Sequence, residues 1–257
     1  MSITRLIGRR TIRSFDHVTT LLTFASTLLL MLFRRPREGR TLVRRVALEQ
    51  IYFTAVQALS IIIPVALIIG SAIIIQFSKL SAQYDLGSIA VILIVRELGP
   101  AITALLIILR SATAVTIETG YMQVLHEIDA LEMLGIDVVW FVCIPRLIGI
   151  TMAILCLFVV FDIVAIIGGY GVVWTITHLP VADFLRQIAG AITVSGIAVG
   201  LFKAVCFGIT ITATSTYHGL NVRKHITEVP VAASRAAVEC FFFCLVLNVL
   251  ISALFYL

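Results

Sequence analysis

The stretch that decides the fold is residues 96–137, RELGPAITALLIILRSATAVTIETGYMQVLHEIDALEMLGID. It begins with the charged pair Arg96 and Glu97 before a Gly-Pro, and continues as an apolar run interrupted by Arg110 and Glu118. An acidic segment then follows. No other part of the chain combines such hydrophobicity with so many ionisable groups. The rest of the sequence is what is needed to hold this stretch in a bilayer.

The composition is that of a membrane protein. The chain has 257 residues, of which 60% are hydrophobic and only 13% are charged. Its mean hydropathy is +1.11. Soluble domains are about half apolar and about a quarter charged, so most of this surface is expected to face hydrocarbon. We predict one polytopic membrane domain, residues 1–257.

The positive charge is concentrated near the N-terminus, where ten of the 19 Lys and Arg residues lie before residue 46. Basic residues beside the first spans favour the cytoplasmic side, where anionic headgroups attract them. We therefore interpret the net charge of +5 as a determinant of membrane orientation and of contact with lipid headgroups. No nucleic acid is expected as a partner. The N-terminus is predicted to be cytoplasmic.

Motifs for catalysis or for metal binding are not found in the sequence. The five cysteines lie in apolar runs, and the five histidines are scattered without metal-ligand spacing. There is no Walker motif, Ser-His-Asp pattern or nucleophile elbow. We expect no metal, no cofactor and no enzymatic activity in this chain, so any energy source has to come from a separate subunit.

The N-terminal region, residues 1–48, is predicted to lie at the membrane surface. Residues 1–17 have the pattern of an amphipathic helix in the headgroup region, with an organellar transit peptide as the alternative. Residues 18–33 are short for a span, which needs about 20 residues, and basic residues lie at both ends. We therefore predict an interfacial or re-entrant helix there.

Five transmembrane helices are expected after this region. They are predicted at residues 56–77, 87–119, 140–174, 188–217 and 236–257, which places the C-terminus outside. A straight helix over 87–119 would reach roughly 50 Å, against a hydrocarbon core of about 30 Å. It has to tilt, protrude or break, and Gly99-Pro100 is the expected position of a break. The fold class is therefore an all-α polytopic membrane protein.

Several ionisable residues lie inside the predicted spans, where they are costly and usually face a partner or a wet cavity. They are Arg96, Glu97, Arg110, Glu118, Asp162, Lys203 and Glu239. On an ideal helix, Arg96, Arg110 and Glu118 fall within an arc of roughly 80°, which predicts a polar stripe. The stripe lines a cavity or forms internal ion pairs. Lys203 shares a face with two glycines, and Glu97 is its first candidate partner.

Residues 121–137 are predicted to form an acidic cytoplasmic segment. Val124, Ile128 and Leu131 make an apolar stripe at helical spacing, while Glu127 and Glu132 belong to its acidic side. An acidic helix does not suit anionic lipid, but it suits a groove on a protein partner. An ordinary solvated loop is the alternative.

Several segments together resemble the MlaE-type permeases of lipid-transporting ABC systems. They are RELGPAITALL, ETGYM, EIDALEMLGID, the following IPR, LFKAVCFGITIT with Lys203, Tyr217-His218-Gly219 and AASRAAVE. The resemblance covers most of residues 50–257. This chain departs from the family pattern at Leu109 and Ala112, where the family has glycines, and at Val138, where it has proline. RKHITEVP replaces a Gly-rich stretch, which suggests a diverged branch.

The resemblance implies a homodimer in the bacterial inner membrane, with the C-terminus periplasmic. It implies an ATPase below, which binds ATP and Mg²⁺, a periplasmic MCE-domain protein above, and phospholipid as the substrate. The implied substrate path contains Arg96, Glu97, Arg110 and Lys203. The implied coupling helix, which inserts into the ATPase, contains Glu127, Ile128, Asp129, Ala130, Leu131, Glu132, Met133 and Gly135.

The function expected from these observations is that of an ABC-type permease subunit for phospholipid or another hydrophobic substrate. One alternative is a stand-alone ion-coupled secondary transporter that uses Glu97, Lys203 and Asp162 as a proton relay. Another is a non-transporting membrane scaffold. Secondary transporters often contain inverted repeats, and this sequence has no recognisable pair.

Overall fold

The computed structural model describes residues 3–34, 40–80, 87–177, 186, 189–222 and 225–256, and it contains no strand in these ranges. The α-helices are α1 (Ile3–Arg34), α2 (Arg40–Ile51), α3 (Gln57–Leu80), α4 (Gly87–Leu93), α5 (Gly99–Ile107), α6 (Thr113–Val124), α7 (Glu127–Met133), α8 (Ile144–Thr177), α9 (Val194–Leu220) and α10 (Val229–Tyr256). Most of the segments between the predicted spans 56–77 and 87–119, and between 140–174 and 188–217, lie outside the described residues, as do Arg223 and Lys224.

In the part of the chain that the structure describes, three π-helical turns join consecutive α-helices into longer rods, and a fourth turn leads directly into α8. They are Tyr52–Val56, Ile94–Leu98, Ile108–Ala112 and Val139–Cys143. Six of the described helical stretches are long and apolar enough to cross a membrane. The prediction of an all-α polytopic membrane protein is therefore confirmed, and each of the five predicted spans has its counterpart.

The remaining stretch, Asp16–Phe33 in α1, has no counterpart among the five predicted spans. It is the least apolar of the six, with a mean hydropathy of 1.4 and only 11% of its residues buried. Because α1 is one uninterrupted helix to Arg34, any return of the chain lies beyond that residue. Its length and composition would also allow a crossing. The interfacial or re-entrant interpretation stays a prediction.

The second span differs from the expectation of a break at Gly99-Pro100. The stretch Ser88–Val124 is a continuous helical rod of 37 residues. Within it, the N–H of Gly99 donates to the carbonyl of Ile94, five residues earlier. Pro100 lacks an N–H and would clash in a regular α-helix, and the wider π-helical turn before it accommodates the ring without ending the helix.

The bundle is held together by close packing of α3 against α8. A methyl group added at Gly70 would lie 2.3 Å from the carbonyl oxygen of Ala165, and one added at Gly169 would lie 2.8 Å from the carbonyl oxygen of Gly70. The two backbones therefore approach as closely as small residues allow. The glycine-rich segment at 168–171 thus serves helix packing, at least through Gly169.

Several helices begin or end close together at one end of the bundle. Gly120 near the end of α6 lies against Val222 and Val229, and Gly219 lies against Thr119. The end of α6, the end of α9 and the start of α10 therefore meet there, and α7 follows directly after α6. We call this the α7 end of the bundle.

The segment 121–137 is divided between two helices. Residues 121–124 continue α6, and α7 begins at Glu127 after His126, which has a left-handed φ of 60°. At the other end of α7, Gly135 has a φ of 74°. The N–H of Ile136 donates to the carbonyl of Leu131 at 3.0 Å. This is the Schellman pattern, which glycine allows because it carries no side chain.

Candidate functional site

The first polar site surrounds Lys203 in the middle of α9, whose side chain is 0% exposed. Its Nζ lies 2.9 Å from Oε1 of Glu97 and 2.7 Å from Oγ of Ser252. Glu97 also accepts a hydrogen bond from Nδ2 of Asn248 at 3.2 Å. We call Lys203, Glu97, Asn248 and Ser252 the lysine cluster. The predicted pairing of Lys203 with Glu97 is confirmed.

Pro100 gives the lysine cluster one of its acceptors. In a regular helix the carbonyl of Arg96 would accept from the N–H of residue 100, but proline has none. Nζ of Lys203 donates to this carbonyl at 3.0 Å. A buried ammonium has three N–H donors and is stabilised only when they find acceptors. Pro100 therefore leaves free the backbone carbonyl that Lys203 uses as an acceptor.

Arg96 lies beside the lysine cluster, against the first turn of α9. Its Nη2 donates to Oγ1 of Thr193 at 2.8 Å, and the same Oγ1 caps α9 by accepting from the N–H of Gly196. A methyl group added at Gly196 would lie 2.7 Å from Nε of Arg96. The guanidinium of Arg96 therefore occupies space that a side chain at position 196 would fill.

The predicted polar stripe on the second span is not a single face. Arg110 donates to Oε1 of Gln57 and to the carbonyl of Phe53, and its guanidinium lies 5.3 Å from the ring centre of Phe53. Glu118 instead pairs with Arg146 of α8 at 3.1 Å. The ideal-helix arithmetic fails here because two π-helical turns rotate the side chains that follow them. These residues stabilise contacts with different helices.

Helix α7 has one side that packs on the rest of the chain and one side that is exposed. Ile128 is buried and packs with Val138 and Val142. The apolar stripe predicted from the sequence thus packs at least partly on the chain itself. Met133 and Leu134 are 88% and 76% exposed, and Glu127 and Glu132 are exposed beside them. The outer side therefore carries both apolar and acidic groups.

The second polar site joins three helices at the α7 end. Nε2 of His17 in α1 lies 2.8 Å from Oε1 of Glu239 in α10, and Nε2 of His218 in α9 contacts the other oxygen, Oε2. We call these residues the histidine cluster. It borders a cavity of about 550 Å³ that is also lined by Asn221, Glu228 and Arg235.

Comparison with protein families gives one decisive result. The family model described as Permease MlaE matches residues 47–254. This chain belongs to the MlaE permease family. It is therefore a permease subunit, which argues against the alternatives of a stand-alone secondary transporter and a scaffold. The predicted family resemblance is confirmed.

Individual relatives extend the match over the whole chain. A probable ABC transporter permease protein of Rickettsia bellii is 26% identical over 260 residues, which cover 100% of this chain and 98% of the relative. A second, from Rickettsia felis, is 27% identical over the same length. The intermembrane phospholipid transport system permease protein MlaE of Haemophilus influenzae is 28% identical, with 81% of this chain and 82% of the relative covered.

Leu109 and Ala112, where the sequence is predicted to depart from the family pattern, lie in the π-helical turn Ile108–Ala112. Leu109 is 61% exposed and points out of the bundle, whereas Ala112 is fully buried. A side chain at position 109 therefore meets no packing constraint inside this chain. The methyl group of Ala112 fills space at the contact of this turn with its neighbours.

Sequence reasoning found only part of these sites in this MlaE permease. It singled out Lys203, Glu97 and Glu239 because charges in a span are costly. It missed Asn248 and Ser252, which carry no charge, and it missed the histidine cluster. His17 and Glu239 are separated by 222 positions, so no motif of local spacing could have indicated their contact.

Proposed function

We propose that this chain is the membrane-spanning permease subunit of an ABC transporter that moves phospholipid or another hydrophobic substrate. The transport connects the bacterial inner membrane with a periplasmic MCE-domain protein. A separate ATPase binds ATP and Mg²⁺ on the cytoplasmic side. The proposal is supported by the name of the Haemophilus influenzae relative, which is called a phospholipid transport permease, and by the ABC permease names of the Rickettsia relatives.

The observation that carries the substrate class is a set of ionisable side chains inside the membrane domain. Lys203 pairs with Glu97 at 2.9 Å, and the guanidinium of Arg96 lies at the first turn of α9, which also carries Lys203. A phosphodiester headgroup carries one negative charge and binds well to a guanidinium. In a membrane domain, such a site suits a lipid with a phosphate and apolar tails. Arg96, Glu97, Arg110 and Lys203 are therefore proposed to border the substrate path.

The coupling surface is proposed on α7 and the turn after it. Glu127, Asp129 and Glu132 supply negative charge, while Met133 and Leu134 supply exposed apolar area for a groove on the ATPase. Ala130, Leu131 and Gly135 give the segment its helical shape and its tight end. Ile128 connects this surface to Val138 and Val142, so a displacement of α7 would be passed to α8.

The assembly is proposed to be a homodimer, with the N-terminus cytoplasmic and the C-terminus periplasmic. The basic residues before residue 46 support this orientation. The α7 end would then face the cytoplasm, where the ATPase binds. Arg96 and the lysine cluster would lie toward the periplasmic partner.

The first test is to purify the chain at native expression levels and to identify the proteins that accompany it. We expect an ATPase subunit and an MCE-domain protein. A purified sample that transports fluorescent phospholipid in proteoliposomes without any ATPase would contradict the proposal. ATP-dependent transfer of phospholipid by the purified complex would support it.

The coupling surface is tested by Glu132→Lys. Like charges across an interface cost several kcal/mol, so ATP-driven lipid transfer should fall at least about tenfold while the protein remains in the membrane. Glu228→Lys is the matched control, because Glu228 is exposed at the same end but lies outside α7. Equal transport by the two variants would remove Glu132 from the coupling surface.

A further inference from the structure

The histidine cluster has the ligand set of a transition-metal site. Three helices, α1, α9 and α10, each contribute one donor, and the ligand atoms of His17, His218 and Glu239 all lie within 4.8 Å of one another. Both imidazoles turn Nε2 toward the same carboxylate. We propose that this permease binds a divalent transition metal, with zinc as the expected ion, at His17, His218 and Glu239.

The geometry fits a tetrahedral ion after small side-chain movements. Zinc bonds of about 2.0–2.2 Å place neighbouring ligand atoms roughly 3.3 Å apart. The observed distance of 2.8 Å between His17 and Glu239 is shorter by about half an ångström. Two imidazoles on one zinc ion have ring centres roughly 5 Å apart, and the rings of His17 and His218 are 5.8 Å apart.

The ligand chemistry selects the class of ion. Two imidazole nitrogens and one carboxylate suit zinc and its neighbours, whereas calcium and magnesium prefer oxygen ligands alone. The carboxylate of Glu239 offsets part of the charge of a divalent ion. The protein does not enclose the site completely, since the side chains of His17, His218 and Glu239 are 35%, 15% and 20% exposed.

The adjacent cavity gives the ion an open coordination position. The cavity is bordered by both histidines and by the polar side chains of Asn221, Thr227 and Glu228. Three protein ligands with water in the fourth position is a common arrangement for zinc. A fourth protein ligand is therefore not required.

The expected role of the ion is to fix α1 on the bundle. The Asp16–Phe33 stretch of α1 is only 11% buried, so its own apolar packing is limited. An ion held by α1, α9 and α10 would link these three helices, since metal binding stabilises the state that contains the assembled site. The link lies at the α7 end, and it does not depend on the substrate proposed above.

The test uses the full-length chain in detergent, without a polyhistidine tag and after removal of metals with a chelator. Titration with zinc should show saturable binding of one ion per chain, and it should raise the melting temperature. Cobalt in place of zinc should give the visible absorption of a tetrahedral site. A wild-type protein that shows no saturable binding of zinc would overturn the proposal.

Variants locate the site. His17→Gln, His218→Gln and Glu239→Gln should each weaken zinc binding at least about tenfold, since even residues behind the ligands change affinity by 10–100-fold. His225→Gln is the matched control, because His225 is exposed and lies outside the cluster. Wild-type affinity in the three ligand variants, or an equal loss in the control, would overturn the assignment.

Discussion

The lysine cluster and the histidine cluster both include residues of α9 and α10, but they differ in how far their side chains are buried. Lys203 and His218 are 15 positions apart, which is about 22 Å along a helix. Lys203 is fully buried although its partner Glu97 is 28% exposed, whereas the histidine cluster contains no fully buried side chain. A fully buried ammonium has to be paired within the protein, whereas partly exposed ligand atoms leave room for an ion to enter.

The largest effect is expected when the ion pair of the lysine cluster is broken. Lys203→Ala leaves Glu97 without its cation, and the cost should approach the lower end of the roughly 3–5 kcal/mol for a broken buried pair, because Glu97 is 28% exposed. The melting temperature of the purified protein should fall strongly, and phospholipid transfer should be lost. Wild-type stability of this variant would show that Glu97 finds full compensation elsewhere.

Removal of both charges should restore most of that stability. In Lys203→Met combined with Glu97→Gln, no charge remains unpaired, and such replacements are often close to neutral. Asn248 and Ser252 still have an amide to contact. Crosslinking of a photoreactive phospholipid and lipid transfer should nevertheless stay low. Normal transport by the double variant would make the lysine cluster purely structural.

A smaller effect is expected at Gly196, where the added methyl group of Gly196→Ala meets the guanidinium of Arg96. This flexible side chain can move, so the cost to stability should be about 1 kcal/mol, at the low end for overpacking. Phospholipid crosslinking near Arg96 should decrease. Gly171→Ala is the control, since open space surrounds Gly171. Identical crosslinking in both variants would show that Arg96 does not border the lipid path.

The smallest effect on stability is expected in the histidine cluster without metal. His218→Gln removes one contact of Glu239 but leaves the contact of Glu239 with His17, and a single hydrogen bond contributes about 1 kcal/mol. Thermal unfolding in chelator-treated buffer should therefore change little. A decrease in melting temperature as large as that of Lys203→Ala would show that the two clusters contribute equally to stability.

The sequence predicted the spans and the Lys203–Glu97 pair because both follow from the cost of charge in hydrocarbon. It did not predict the π-helical turns, since an apolar run is compatible with both kinds of helix. These turns divide the predicted polar stripe between Gln57, Thr193 and Arg146. The apolar stripe of the acidic segment was recognised, but its packing through Ile128 on Val138 and Val142 required the position of the segment before α8.

By itself, the sequence determined that this protein is helical, lies in a membrane and must satisfy Lys203 within the bundle. Hydropathy and the desolvation of charges are properties of residue types and short segments, so no neighbour has to be known. Only the tertiary structure decided that the carbonyl freed by Pro100 accepts from Lys203 and that His17 meets His218 and Glu239. Such contacts depend on which helices pack together and in which rotation, and no local pattern encodes them.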